Sequence, residues 1–177
     1  MPYIKEQAAI KLNIRETAWF LAMFGVASML PFFVHLQWIT GPIVNAVLII
    51  VLFIVGVRSA LVLCLVPSLL ALSGGLLPAV LSPAVPFIMI SNVIFILSVE
   101  WWYMILKDDK RGYWLGVFVG AGLKTLFLFG GVNMIGGLFL RQELAVKAAQ
   151  MMSWPQLFTA ITGGMIAWVL LKWLKRL

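Results

Sequence analysis

Residues Tyr113–Asn133 read YWLGVFVGAGLKTLFLFGGVN, an apolar run interrupted by one charge, Lys124. A helix rises about 1.5 Å per residue, so roughly 20 such residues cross the hydrocarbon core of a bilayer. The run therefore predicts a membrane-spanning helix. Gly112, Gly116 and Gly120 recur every four residues and place Lys124 on the next turn of the same face. That spacing gives a smooth ridge on which a neighbouring helix packs closely, leading to a charge about 11 residues, or roughly 16 Å, into the span. A lysine at that depth costs at least about 2.5 kcal/mol on insertion scales unless a partner or polar cavity compensates. Glu100 is the nearest acid, but it lies about six residues shallower, a mismatch of about 9 Å. Asn92 is closer in level. Two readings follow: Lys124 fastens helices by pairing with Glu100 or by snorkelling, or it meets an anionic or carbonyl-bearing ligand.

The rest of the chain is of the same kind. Of its 177 residues 63% are hydrophobic and 11% charged, with a mean hydropathy of +1.08, far from the soluble balance of roughly half apolar and a quarter charged. Further apolar runs fall at Thr17–Val34, Gly41–Val57, Ser59–Ser73, Pro86–Leu106 and Trp154–Lys172. With the first they predict an all-α integral membrane protein, a compact bundle of six transmembrane helices with both termini cytoplasmic. Residues 1–16 form a cytoplasmic or interfacial segment, 17–173 the transmembrane domain and 174–177 a basic tail. This organisation leaves no room for a soluble catalytic or nucleotide-binding domain. The glycines and prolines of Ser73–Pro86, SGGLLPAVLSPAVP, exclude one regular helix and predict a loop lying against the bundle. Gly136 and Gly137 loosen the end of the fifth segment, and Arg141–Met152 reads as a short amphipathic surface helix with Glu143 and Lys147 at i,i+4. Cys64, the single cysteine, reads as a small buried hydrophobe and excludes an intrachain disulfide.

The net charge of +7 reports topology rather than nucleic-acid binding. With an inside amino terminus, the inner side receives Lys5, Lys11, Arg15, Arg58, Lys107, Lys110, Arg111, Lys172, Lys175 and Arg176. The outer side receives Arg141 and Lys147, and Lys124 stays within a span. Ten against two is the bias expected of short cytoplasmic loops. No small-x-small cleavage site follows the first apolar run at Ser28–Phe33, so the first span is expected to be retained.

No catalytic motif is present: the chain has one histidine, no H-x-x-x-H and no phosphate-binding glycine loop. Asp108 and Asp109 sit in the basic loop KDDKR and read as a solvated turn. The protein is thus expected to be no enzyme and to bind no cofactor directly. Asn45, Asn92 and Asn133 each bring an amide into or near the end of a span, for interhelical hydrogen bonding or for ligand contact. Asn133, Trp154 and Gln156 together with His35, Gln37 and Trp38 give the outer mouth aromatic surface and a few polar groups, a combination suited to a small organic ligand.

Size, six-span pattern and the run GPIVNAVLIIVLFIVGVRSALVLCLVPSLLALSGGLLPAVLSP from Gly41 resemble the S-components, the membrane-embedded substrate-binding subunits of energy-coupling-factor (ECF) transporters. In that family a small-xxx-small surface on the first helix docks on the coupling subunit; here Ala18 and Ala22, extended by Gly25, match it. The resemblance implies uptake of a vitamin-like or other small organic micronutrient from outside. Its partners would be a coupling membrane subunit and two cytosolic ATPases, which consume the ATP, in the plasma membrane of a prokaryote. It implies a pocket drawn from His35, Gln37, Trp38, Asn92, Asn133, Trp154 and Gln156, with Lys124 at its floor. The amino-terminal Met-His and histidine cluster of a nickel or cobalt carrier are missing, so no metal is expected. Two other readings stand beside this one. A non-transporting membrane scaffold or assembly factor would use the polar residues only to hold helices together, and a small self-contained permease would need more intramembrane ionisable groups than the chain has.

Overall fold

The computed structural model describes residues 14–33, 37–73, 79–106, 108–139, 150 and 152–177. Its elements are α1 (Ile14–Phe33), α2 (Gln37–Ile54), α3 (Val57–Ser73), a 3₁₀ helix (Ala79–Ala84), α4 (Val85–Leu106), α5 (Asp109–Phe139) and α6 (Trp154–Trp173). There is no strand among the described residues. Three helical stretches, Ser82–Leu106, Asp109–Gly136 and Trp154–Trp173, are long and apolar enough to cross a membrane; Trp38–Ile54 and Val57–Leu70 are apolar but shorter. Leu126, Met134, Phe158, Val169 and Trp173 are all more than half exposed on these helices. An apolar surface of this extent suits lipid rather than water. Polar side chains go inward instead: Asn45, Asn92, Lys124 and Thr159 are buried.

The glycine ridge of α5 seats on α4. A Cβ on Gly112 would stand 2.9 Å from Tyr103 Cα, one on Gly116 2.7 Å from Val99 Cα, and one on Gly120 3.0 Å from the Phe95 carbonyl oxygen. The partner number falls as the glycine number rises, so the two helices run antiparallel with their backbones in contact. Contrary to the expected loosening at Gly136 and Gly137, α5 stays helical to Phe139; a glycine lowers helix propensity by about 1 kcal/mol without ending a helix by itself. The proline-rich segment is also more regular than a loop, because Ala79–Ala84 forms a 3₁₀ helix packed on α4 and α5. Residues 74–78 and the expected surface helix over 141–149 lie outside the described residues.

α2 and α6 run parallel. Gly41 packs on Thr159, and Gly163 packs on Pro42 and Asn45. Between α2 and α3 the chain reverses in two residues: Gly56 adopts φ 116°, a conformation open to glycine, while its N–H donates to the Val51 carbonyl at 3.0 Å. Arg58, Lys110, Arg111, Lys172, Lys175 and Arg176 thereby fall at one end of the bundle, where Tyr113 donates to the Gly164 carbonyl at 2.6 Å amid Phe53, Trp114 and Trp168.

Asp108 is a helix cap as well as a turn residue. Its Oδ1 accepts from the backbone N–H groups of Lys110 and Arg111 at 3.0 Å each, and Arg111 Nε stands 3.6 Å from Oδ2. These donors, the Arg111 N–H foremost, hold its carboxyl below the ordinary aspartate value. A depressed folded-state value stabilises the fold above the ordinary pKa of about 3.9, and that contribution is lost as pH falls through the lowered one. Asp108→Ala is accordingly expected to lower the unfolding temperature at pH 7 and to erase part of its acid dependence, read by tryptophan fluorescence in detergent.

Candidate functional site

The polar centre of the bundle is built on Lys124, which is 3% exposed. The glycine ridge decides its position, because it brings the next turn of α5 against α4 at the level of Asn92. Lys124 Nζ donates to Asn92 Oδ1 at 2.7 Å and to Asn45 Oδ1 on α2, also at 2.7 Å. Phe95, one turn from Asn92, places its ring centroid 5.5 Å from Nζ. The ammonium is thus held by two amide oxygens and an aromatic face, in charge-assisted contacts stronger than those between neutral groups.

Glu100 is not the partner that the sequence offered as one alternative. It lies eight residues beyond Asn92 on α4, about 12 Å along the axis towards the basic end, out of reach of Nζ.

Thr40, Gly41, Val44 and Asn45 of α2, Pro67 and Ser68 of α3, Ile88 and Asn92 of α4, Lys124 and Gln156 line an open cavity of about 210 Å³. It lies in the half of the bundle that holds the N-termini of α2, α4 and α6, away from the basic end. Pro67 has no N–H to return to the carbonyl four residues earlier, so α3 loses one rung of its ladder where it borders the cavity.

Of the residues expected to bind substrate, Asn92, Lys124 and Gln156 meet at this cavity. Trp38 and Trp154 do not line it: their rings pack on each other at 5.2 Å, with Phe158 5.9 Å from Trp38, on the exposed side of the α2–α6 seam. Trp154 and Phe158 share a helix face that Gln156 does not, which separates the aromatic patch from the cavity. Asn133 is exposed and donates Nδ2 to the Phe129 carbonyl at 2.8 Å on its own helix. His35 lies outside the described residues, as does the side chain of Gln37. Thr40 and Ser68 enter the site although the sequence reading did not name them, and Asn45, which it offered for helix joining or ligand contact, enters without having been grouped with the pocket. Counting depth from the helix starts would have found Asn45: it is eight residues into α2 and Asn92 seven into α4, two parallel helices, so both amides sit about 10 to 12 Å in.

On α1, Ala18 and Ala22 are exposed, and a Cβ on Gly25 would meet nothing within 4 Å. The described residues contain no group of three or more His, Cys, Asp or Glu able to hold a metal ion.

No family model, curated protein or solved structure matches this chain.

Proposed function

We propose that the chain is the substrate-capturing membrane subunit of an ECF-type importer, taking a small organic micronutrient from outside and delivering it inward with an ATP-driven coupling module. The observation that carries this reading is the cleft around Lys124: a buried, hydrogen-bonded lysine lining an open pocket in an otherwise apolar bundle. Intramembrane ionisable groups of that kind mark ligand and ion pathways. In this reading all six helices span the plasma membrane of a prokaryote and both termini are cytoplasmic. The basic end then faces the cytoplasm, as charge bias demands, and the cavity half faces outward. The exposed Ala18 and Ala22, with the half-buried Gly25 one turn on, suit close docking of a partner helix, because only small side chains let two backbones approach in lipid.

The test is purification of the tagged full chain from its native membrane in mild detergent. Two ATPases and a coupling membrane protein are expected to copurify, and Ala22→Leu is expected to release them while leaving ligand binding intact. A chain that purifies free of ATPases would instead favour a scaffold role, in which Lys124, Asn45 and Asn92 serve only to join α2, α4 and α5.

A further inference from the structure

We infer that the cavity takes a compact organic monocarboxylate, its oxygens held by Lys124 Nζ and the amide nitrogens of Asn45 and Asn92. The inference rests on the binding reading above and names the class of substrate.

An ammonium has three protons and accepts nothing. Two of Lys124's protons go to Asn45 Oδ1 and Asn92 Oδ1, which fixes both amides with their oxygens towards the lysine and their NH₂ groups turned away from it. Neither Nδ2, nor the third ammonium proton, has an acceptor among the described residues. These donors are not sealed in the packing. The described residues hold one buried side-chain polar atom without a partner, Ser28 Oγ on α1, whereas Lys124, Asn45 and Asn92 all line the cavity. Around the ammonium itself the unspent hydrogen-bonding capacity is therefore donor capacity, from three side chains on three helices.

Charge points the same way. The described cavity lining carries one cation and no carboxylate. A buried charge held only by neutral dipoles is the situation a counter-ion relieves most. One cation balances one negative charge, so a monocarboxylate fits where a phosphate dianion would leave a charge uncompensated. Gly41, Val44, Pro67 and Ile88 supply an apolar wall, which suits an organic body rather than a bare inorganic anion. The volume of about 210 Å³ falls below the usual range of about 300 to 1,000 Å³ for ligand sites, which suits a compact ligand.

The test uses the purified full chain in detergent micelles and intrinsic tryptophan fluorescence during thermal unfolding. The probes are benzoate and the straight-chain carboxylates from propionate to octanoate, each beside its primary amide and its amine, with sodium chloride and nitrate as inorganic anions. At least one carboxylate is expected to stabilise the protein saturably, about tenfold or more tighter than its amide, with no effect of the amine. Asn92→Asp, nearly the same shape, gives Lys124 an internal counter-ion. It is expected to fold and to weaken carboxylate binding by about tenfold or more. If that variant does not fold, Asn45→Asp carries the same test.

An amide that binds as well as its acid, an aspartate variant that binds carboxylate like the wild type, chloride or nitrate matching the best carboxylate, or no carboxylate stabilising the wild type would each overturn the inference. Copurification of the ATPases is independent of these results. Partners without carboxylate binding would sink the substrate class alone; carboxylate binding without partners would sink the importer reading alone.

Discussion

Gly116→Leu is expected to unseat α5 from α4 and to be the most damaging single change at any described glycine in the ridge. The first atom of the new side chain would stand 2.7 Å from Val99 Cα, 3.0 Å from the Val99 carbonyl oxygen and 3.2 Å from the Ser98 carbonyl oxygen. All three are backbone atoms, which have no rotamer into which to retreat, so the helices must separate. Overpacking of this kind costs about 1 to 3 kcal/mol, and a whole leucine against backbone belongs at or above the top of that range. Asn92 is carried by the same helix two turns away, so ligand affinity should fall with stability. Gly122→Leu is the internal control, because a Cβ there meets nothing within 4 Å. Equal unfolding temperatures for the two leucine variants would show that α4 and α5 do not pack along the ridge.

Lys124→Met should fold, with an unfolding temperature close to that of the wild type without ligand because relief of the buried charge is offset by the donors lost to Asn45 and Asn92, and should lose about tenfold or more in ligand affinity. A linear apolar chain replaces the buried charge, and no carboxylate is orphaned by the change. Double-mutant cycles sharpen the expectation. Lys124 and Asn92 touch and are expected to couple by about 0.5 to 3 kcal/mol; Lys124 and Glu100 are separated by two turns of helix and should be additive within about 0.5 kcal/mol. A large coupling to Glu100, with Glu100→Gln rescuing Lys124→Met, would contradict the arrangement of α4 and α5.

What the sequence made legible follows from which physical signal it carries. The six described α-helices coincide with the six apolar runs, three of them long enough to cross a membrane, because hydropathy and length are properties of contiguous residues. The packing ridge was readable too, since Gly112, Gly116 and Gly120 need only helical periodicity to share a face. The partner of Lys124 was readable only as a level: counting depth put Asn92 nearer than Glu100 without making it the partner. Choosing between Glu100 and Asn92 takes the axial offset of two helices, and that offset is set by where the Gly116 and Gly120 backbones lock onto Val99 and Phe95. The aromatic residues misled for a related reason. Trp38 and Trp154 share an end of the bundle with the cavity, but end and face are different coordinates, and hydropathy reports only the first. Asn133 satisfies its amide on its own helix, an option open to any asparagine and invisible in the residue type.

Gly163 has a bearing on how such a site can diverge. A Cβ on it would stand 2.6 Å from Asn45 Cβ and 2.7 Å from the Pro42 carbonyl oxygen, so the backbone of α6 is the surface on which one of the two amides rests. The residues that grip Lys124 are thereby the residues that hold helices together, and drift at Asn45 or Gly163 alters recognition and assembly at once. Thr40, Ser68, Ile88 and Gln156 touch the same cavity without holding the ammonium. Under the proposed binding role, descendants of this chain would change their ligand by rewriting the wall while inheriting the anchor.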